Sequence, residues 1–363
     1  MRDLVDRPRV LVVPSKHAAE LLRRLHSLGL VDQTHKTTKD AGSVLVPLVA
    51  EPSFDVTRYG ARIDTNRVLP SRSIRRDLRA RLVERLAASG IHPEQAPRGW
   101  ERIGDILVVR VPRAGRAQAK AIGEIFGTVL GARTVVEDVS GIHGPLRTPE
   151  IQILWGDGTE TVHVEGGVRY ALDVARLMFS SGNLAERMGI ARRVRPGAIV
   201  VDLFAGIGYF TLPIALRSRA QTVFACELNP VGFRYLVENL RLNRATNVVP
   251  LVGDCRKVAP QGVADWVVMG HFDARDYLDV AFRALRGKGR IVYHEVCPKE
   301  QFPDAFARRL AAAARSHWMT VTRMETRIVK SYAPRIAHVA AELEVAPQIR
   351  GPSTETRMSD ERL

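Results

Sequence analysis

The chain has 363 residues, and its 45% share of apolar residues supports a large folded core and excludes global disorder. Its 54 lysines and arginines exceed its 39 acids, and the net charge of +15 predicts a polyanionic partner such as a nucleic acid. No apolar run reaches the ~18 residues of a membrane span, no secretory signal is evident, and three widely spaced cysteines exclude zinc spacing and a disulfide framework. We therefore expect a cytoplasmic protein with reduced thiols, no membrane contact and no metal.

The first part of the chain, residues 1–60, is predicted to form a small α/β domain. Alternating β-branched residues predict strands at 10–14 and 43–47, and helical apolar spacing predicts a helix over 17–30. Prolines and mixed charges in 51–72 are typical of a linker.

The middle part, residues 61–175, is predicted to be a mixed α+β domain. It begins with an arginine-rich amphipathic helix at 74–86. Further strands are predicted at 103–112, 134–137 and 150–155, a helix at 117–130, and a hairpin from 161–165 and 168–173.

Residues 176–352 alternate strands with helices, which is the pattern of a parallel sheet covered on both faces. Strands are expected near 198–203, 222–227, 247–251, 264–270, 289–295, 318–328 and 335–345. The fold class is therefore α/β, a doubly wound Rossmann-like sheet preceded by smaller α+β domains. The polar residues 353–363 are expected to be a frayed tail.

The most informative segment is Val200–Leu212, where a β-branched run ends in Asp202 and a turn containing Gly206 and Gly208 follows. Strand, glycine turn and helix in this order bring bare backbone close to a ligand in open α/β sheets. The next predicted strand ends in Glu227, where a carboxylate can hold two ribose hydroxyls. This arrangement predicts binding of an adenosine-containing cofactor.

A third acid favours one class of cofactor. Asp254 follows the next strand, so Asp202, Glu227 and Asp254 are expected along one edge of the sheet. Three carboxylates suit a neutral or cationic nucleoside, whereas anionic ligands favour helix N-termini and basic residues. The third glycine of the dinucleotide fingerprint is replaced by Thr211, so S-adenosylmethionine is favoured and NAD is the alternative.

Several motifs stand out along the chain, namely Gly141–Arg147, Thr159–Arg169, Met178–Arg187, Asp202–Leu212, Glu227–Pro230, Gly253-Asp254 and Val329–Pro334. Together they resemble one family of class I S-adenosylmethionine-dependent transferases, the wybutosine-synthesising tRNA aminocarboxypropyltransferases, which are related to the tRNA guanine-N1 methyltransferases. The resemblance implies a sheet of the class I methyltransferase type.

Two segments resemble the aminocarboxypropyl branch more than the methyltransferase branch. Phe179–Asn183 stands where the methyltransferases carry Phe-Ser-Pro-Arg, and Met269-Gly270-His271 stands where they carry Asn-Leu-Pro. Tyr293–Glu295 also resembles the aminocarboxypropyl branch. Cys255 departs from the family, which usually has Asp-Asn at 254–255, so the adenine contact at 255 is weakened.

The resemblance also assigns residue roles. It implies that Ser180 and Arg187 contact the cofactor, with Arg187 facing the methionine carboxylate, and that Glu227, Asp254 and Cys255 hold ribose and adenine. Ser180 also fits a helix N-cap, Arg187 also fits a surface charge pair, and Glu227 and Asp254 also fit ordinary strand-end caps.

For catalysis, the resemblance implies Glu186 as a base and Arg147 as its companion. The competing interpretation for Glu186 is a salt bridge with an arginine. Three histidines near predicted strand ends can orient substrate or be structural, and the structural role is the default: His163, His271 and His294.

The implied reaction moves the 3-amino-3-carboxypropyl group to the tricyclic base 4-demethylwyosine at position 37 of tRNA(Phe) and releases methylthioadenosine. The acceptor is the purine 3′ of the anticodon, gripped through the N-terminal unit and helix 74–86, and the protein is expected to be a monomer. The alternatives are a guanine-N1 tRNA methyltransferase, an aminocarboxypropyltransferase acting on a natural product, and a non-catalytic RNA-binding module with a vestigial cofactor fold.

Overall fold

A computed structural model of the chain describes residues 9–28, 30–32, 35–65, 67, 69, 78–143, 148–179 and 181–348. Backbone contacts divide the chain into two compact units, Met1–Pro93 and Glu94–Leu363. The finer division into domains at 1–60, 61–175 and 176–352 stays a prediction. The expected tail at 353–363 and the start of the helix expected at 74–86 lie outside the described residues.

The first unit contains an antiparallel sheet covered by a helix. Its strands lie in the order β2-β3-β1-β4, and Leu21 and Leu25 of α1 are buried against the sheet. The elements are β1 (Arg9–Pro14), α1 (Ser15–Ser27), β2 (Thr38–Asp40), β3 (Ser43–Leu48), β4 (Arg62–Asp64) and α2 (Leu78–Ala88). The linker prediction was wrong at β4, which pairs with β1. Three residues of mixed polarity are too short to show strand periodicity.

The second unit begins with a four-stranded sheet, in the order β5-β6-β7-β8, and a separate hairpin of β9 and β10. The elements are β5 (Trp100–Ile103), β6 (Ile106–Val109), α3 (Ala119–Leu130), β7 (Thr134–His143), β8 (Thr148–Gly156), β9 (Glu160–Glu165) and β10 (Val168–Asp173). The hairpin prediction is confirmed, with Tyr170 opposite His163. The strand expected at 103–112 was wrong in its bounds, since β5 ends at Ile103 and β6 spans Ile106–Val109, with Gly104 turning the chain at a φ of 58°.

The second unit continues into a seven-stranded mixed sheet in the order β13-β12-β11-β14-β15-β17-β16. Its strands are β11 (Ile199–Asp202), β12 (Thr222–Glu227), β13 (Val248–Val252), β14 (Ala264–Met269), β15 (Leu285–Pro298), β16 (Met319–Ala333) and β17 (Ile336–Pro347). The first five are parallel, and β17 pairs antiparallel with β15 and β16. The predicted alternation of strands and helices is confirmed, and the last two strands make the sheet mixed.

Helices cover both faces of this sheet. They are α4 (Leu184–Arg193), α5 (Thr211–Arg217), α6 (Pro230–Asn243), α7 (Cys255–Val258), α8 (Leu278–Ala284) and α9 (Asp304–Ser316). Neighbouring residues of one strand enter different cores, since Val200 packs with α4 and α5 whereas Val201 packs with α8 and α9. Strands buried on both faces read as continuous apolar runs, which is why the sequence showed them clearly.

Two asparagines of α6 satisfy the free edge of β10. Asn239 accepts from Ala171 N at 2.6 Å and donates to Ala171 O at 3.1 Å, and Asn243 makes the same pair of bonds with Arg169. Side chains four residues apart on a helix rise by ~6 Å, close to the ~6.8 Å between alternate strand residues. Asn239 also donates to Ile207 O at 3.1 Å, so it joins the hairpin to the glycine turn.

Replacing Asn239 with leucine is expected to lower the free energy of unfolding by about 3–4 kcal/mol, since it leaves several buried backbone groups without partners. Denaturant unfolding of the full chain measures this. Asn243→Leu is the matched comparison, and its more accessible site predicts a loss of about 1 kcal/mol, because water replaces the lost bonds. Equal losses for the two variants would show that burial of Asn239 does not matter.

Candidate active site

A cavity of about 290 Å³ opens at the carboxyl ends of the parallel strands. It lies where the strand order reverses between β11 and β14, the usual ligand position in open α/β sheets. Each of the five parallel strands contributes to its wall, through Leu203, Glu227, Asp254, Gly270 and His294.

The glycine turn and the end of β12 form one wall. Gly206 has a φ of 58°, which other residues adopt at a cost, and its N–H donates to Glu227 Oε2 at 2.7 Å. Asn229 N donates to Glu227 Oε1 at 2.8 Å. Burial raises the pKa of Glu227, while these two backbone N–H groups oppose that rise. The carboxylate is thereby fixed in place, and its remaining lone pairs face a site suited to hydroxyl donors.

Asp254 and Cys255 follow β13 on the next wall. Asp254 caps α7 by accepting from Arg256 N at 2.9 Å, and Arg256 Nε also donates to it at 2.9 Å. The Arg256 side chain lowers the pKa of Asp254, which stays ionised. Cys255 is buried, and burial raises the pKa of its thiol to about 12, so it contributes a small apolar surface to the cavity.

Arg187 contributes a cation to the cavity lining. Its side chain is only 2% exposed, forms an ion pair with Glu165, and lies 5.1 Å from the ring centres of Phe179 and Tyr209. Nearby, Asn183 Oδ1 is buried and has no hydrogen-bond partner among the described residues. A buried acceptor without a partner requires a donor from a ligand or water. Asn183 and Arg187 together suit the ammonium and the carboxylate of an amino acid.

Aromatic rings complete the apolar part of the cavity. Phe204 stacks on His271 at 5.3 Å, and Tyr277 meets Phe204 edge-on at 5.1 Å. Gly270 allows the Phe210 ring to pack closely, since a Cβ there would lie 2.4 Å from that ring. These surfaces fit a planar heterocycle.

One corner of the cavity contains two buried histidines in contact with each other. His294 Nδ1 lies 3.0 Å from His338 Nε2, and both rings line the cavity. Glu186 lies behind His294, with Oε1 at 3.7 Å from Nε2, and it accepts from Arg327 Nε at 3.0 Å. Burial lowers the pKa of each histidine to about 3, so both are neutral at physiological pH.

The sequence matches two family models, which lie next to each other along the chain. Residues 161–322 match the TRM5/TYW2 methyltransferase domain, and residues 74–159 match the TYW2 N-terminal domain. The chain is 36% identical to a tRNA(Phe) (4-demethylwyosine(37)-C(7)) aminocarboxypropyltransferase of Methanocaldococcus jannaschii, over 67% of this chain and 96% of the relative. The chain belongs to the wybutosine-synthesising tRNA aminocarboxypropyltransferase family.

Solved structures similar to this family member have the same fold. Pyrococcus horikoshii TYW2 in complex with MeSAdo is 32% identical, with a TM-score of 0.66 over 74% of this chain and 98% of that one. Pyrococcus abyssi Trm5b, from the related methyltransferases, is 29% identical, with a TM-score of 0.66 over 93% of this chain and 99% of that one. The predicted class I methyltransferase fold is therefore confirmed.

The aminocarboxypropyltransferase cavity gathers five of the predicted cofactor residues, namely Arg187, Gly206, Glu227, Asp254 and Cys255. Asp202 and Gly208 do not line it. Asp202 is fully buried and accepts from Thr211 Oγ1 at 2.7 Å, so it holds the start of α5 behind the glycine turn.

The predicted catalytic residues are placed differently. Arg147 and the cofactor residue Ser180 lie outside the described residues. Glu186 forms the salt bridge with an arginine that was its competing interpretation, and its role as a base stays a prediction. His163 accepts from Gly104 N at 3.1 Å, consistent with its structural default, whereas His271 and His294 line the cavity.

His338 and Asn183 are cavity residues that sequence reasoning missed. His338 is the polar member of the apolar run Ile336–Ala341, and a buried polar residue in such a run is a usable signal. Asn183 lies within the Phe179–Asn183 segment that separates the two branches, yet its orphaned oxygen is visible only in three dimensions.

The described ranges lack the features of a metal site and of a membrane span. They contain no group of three or more histidine, cysteine or acidic side chains placed to hold a metal ion. They also contain no helix with the length and apolarity required to cross a membrane.

Proposed function

We propose that this protein transfers the 3-amino-3-carboxypropyl group of S-adenosylmethionine to 4-demethylwyosine at position 37 of tRNA(Phe), with release of methylthioadenosine. The cavity that combines Glu227, Arg187 and the orphaned Asn183 oxygen carries the proposal, because it offers complementary groups to both ends of this cofactor. The aminocarboxypropyltransferase relatives support it, since the chain spans nearly their whole length.

Each part of the donor has a matching group in the chain. Glu227 accepts from the two ribose hydroxyls, and the buried Cys255 with exposed Leu228 flanks the adenine. Asp254 accepts from the adenine amino group. Arg187 faces the methionine carboxylate, and Asn183 Oδ1 accepts from the methionine ammonium. Ser180, by resemblance, adds a contact to the same arm.

The bound sulfonium activates the carbons attached to it, so attack at the γ-carbon transfers the aminocarboxypropyl arm, whereas attack at the methyl group transfers methyl. The protein decides between these outcomes by orientation. Anchoring the arm at both its carboxylate and its ammonium holds the γ-carbon in a fixed position. Gly270 contributes no side chain after β14, in contrast to the Asn-Leu-Pro of the methyltransferase branch, and the Phe210 ring packs against it at the cavity wall.

The acceptor partner is tRNA. The base at position 37 is unstacked or flipped to enter the cavity, because its reacting carbon is inaccessible within a stack. Arg81 and Arg85 on the exposed face of α2 contact the phosphate backbone, with Leu82 and Leu86 buried on the other face. Arg147, by resemblance, serves the transfer step. A monomeric, cytoplasmic enzyme completes the proposal.

The proposal is tested by supplying tRNA that bears the tricyclic base together with S-adenosylmethionine labelled either in the methyl carbon or in the carboxyl carbon. We expect only the carboxyl label to enter RNA, with methylthioadenosine as the coproduct. Methyl label in RNA, with S-adenosylhomocysteine as the coproduct, would identify a tRNA methyltransferase instead. tRNA carrying unmodified guanosine at position 37 is the control acceptor and should remain unlabelled.

A further inference from the structure

The strand register places the two histidines of the cavity corner on one face of the sheet. His294 of β15 lies opposite Ala340 of β17, and Val296 lies opposite His338, so the two rings are diagonal neighbours. Arg327 of β16 also lies opposite Ala340. The small Ala340 side chain separates the longer ones, and Glu186 approaches the same group from α4.

The four side chains form a row of polar contacts in which the Glu186–His294 step is an electrostatic contact and not a hydrogen bond, since His294 Nε2 is buried without a hydrogen-bond partner among the described residues. Arg327 donates to Glu186, the Glu186 carboxylate lies 3.7 Å from His294 Nε2, and His294 Nδ1 lies 3.0 Å from His338 Nε2. At the end of the row, His338 Nδ1 is buried without a partner among the described residues. His338 is 2% exposed and lines the cavity.

The charge of Glu186 sets the direction of the protons in this row. A carboxylate favours a proton on the facing His294 Nε2, which leaves a lone pair on His294 Nδ1. That lone pair then accepts from His338 Nε2–H. His338 Nδ1 is consequently left with a lone pair and no proton. The opposite arrangement would place the His294 lone pair against the carboxylate.

We infer that His338 Nδ1 is the base that removes the proton from the acceptor carbon, and that His294 and Glu186 are positioning residues which keep that nitrogen unprotonated. The inference rests on the proposed function, and it assigns Glu186 an indirect role, since Glu186 does not line the cavity.

The proton balance is simple. When the ring carbon forms its new carbon–carbon bond, the tricyclic base gains a positive charge and still carries its hydrogen. The carbon–hydrogen bond then breaks, its electron pair restores the aromatic ring, and the proton moves to His338 Nδ1. The resulting imidazolium is stabilised through His294 by the Glu186 carboxylate, in the way that a buried acid supports a catalytic histidine.

A weak base is sufficient for this step. The alkylated ring is a strong carbon acid, because losing the proton restores its aromaticity. Burial, the neighbouring His294, and the cations Lys330 and Arg327 lower the pKa of His338, while Glu186 opposes this. The pair therefore remains neutral and able to accept a proton across the physiological range.

The test that does not depend on turnover is nitrogen-15 NMR of histidine-labelled full-length protein without cofactor. We expect both rings to be neutral at pH 7, each with its proton on Nε2. The nitrogen signals of the two rings are assigned with variants that each lack one histidine. Glu186→Gln should alter the tautomer of His294, and His317→Gln should leave both signals unchanged. A proton on His338 Nδ1 in the unaltered protein would overturn the inference.

The kinetic test uses His338→Gln, whose amide keeps a donor near the Nε2 position and removes the Nδ1 lone pair. Single-turnover transfer should fall by about 10²–10³-fold while the Kd for S-adenosylmethionine stays within about threefold. His338→Asn, which keeps only a non-basic oxygen near Nδ1, should not restore the rate. A folded His338→Gln variant with an unchanged rate would end the proposal. If that variant still releases methylthioadenosine, the proposed function stands although His338 is not the base.

Discussion

Arg187→Met is expected to lower the free energy of unfolding by about 3–5 kcal/mol, which is the usual cost of removing one partner of a buried ion pair. Arg187 is 2% exposed and its partner Glu165 is 8% exposed. Burial already raises the pKa of Glu165, and Arg187 opposes this, so its removal raises that pKa further. Glu165 is then expected to take up a proton. Denaturant unfolding at pH 7 measures the loss.

The double variant Arg187→Met with Glu165→Gln separates stability from cofactor binding. Since no buried charge remains unpaired, we expect it to recover part of the lost stability. Affinity for S-adenosylmethionine should stay low, because the methionine carboxylate still lacks its cation. Recovery of both would show that Arg187 has only a structural role. Arg192→Met at the exposed end of α4 is the control and should change stability by less than about 0.5 kcal/mol.

Glu227→Ala is expected to weaken S-adenosylmethionine binding by about 30–1000-fold, which corresponds to about 2–4 kcal/mol for two hydrogen bonds to a carboxylate. The variant also removes the acceptor of Gly206 N and Asn229 N, so the glycine turn loses its anchor. Calorimetric titration of the tRNA-free protein measures the affinity.

Glu227→Gln is expected to be almost as harmful, although it is close in shape. Both carboxylate oxygens accept backbone N–H groups, and the amide would present a donor to one of them. Glu238→Gln on the exposed face of α6 is the matched control and should bind normally. An affinity within threefold for Glu227→Ala would contradict the ribose assignment.

Some site residues were predictable because their signal is local. The run Val200–Asp202, the two glycines after it, and Glu227 at the end of the next strand all follow from strand periodicity and turn chemistry. The same reasoning assigned Asp202 and Gly208 to the ligand, although neither lines the cavity. Sequence spacing indicates which strand end a residue occupies, but it does not show whether the side chain faces the ligand or the helix behind it.

By itself, the sequence determined the order of strands and helices, the glycine turn and the acid that faces it, because each is written within a few consecutive residues. The tertiary structure alone decided the contacts that set charge and proton position. Arg187 and Glu165 are 22 residues apart, His294 and His338 are 44 apart, and Glu186 and Arg327 are 141 apart. Such pairs form only in the assembled fold, since strand register and helix packing, rather than local preference, bring them within a few ångströms.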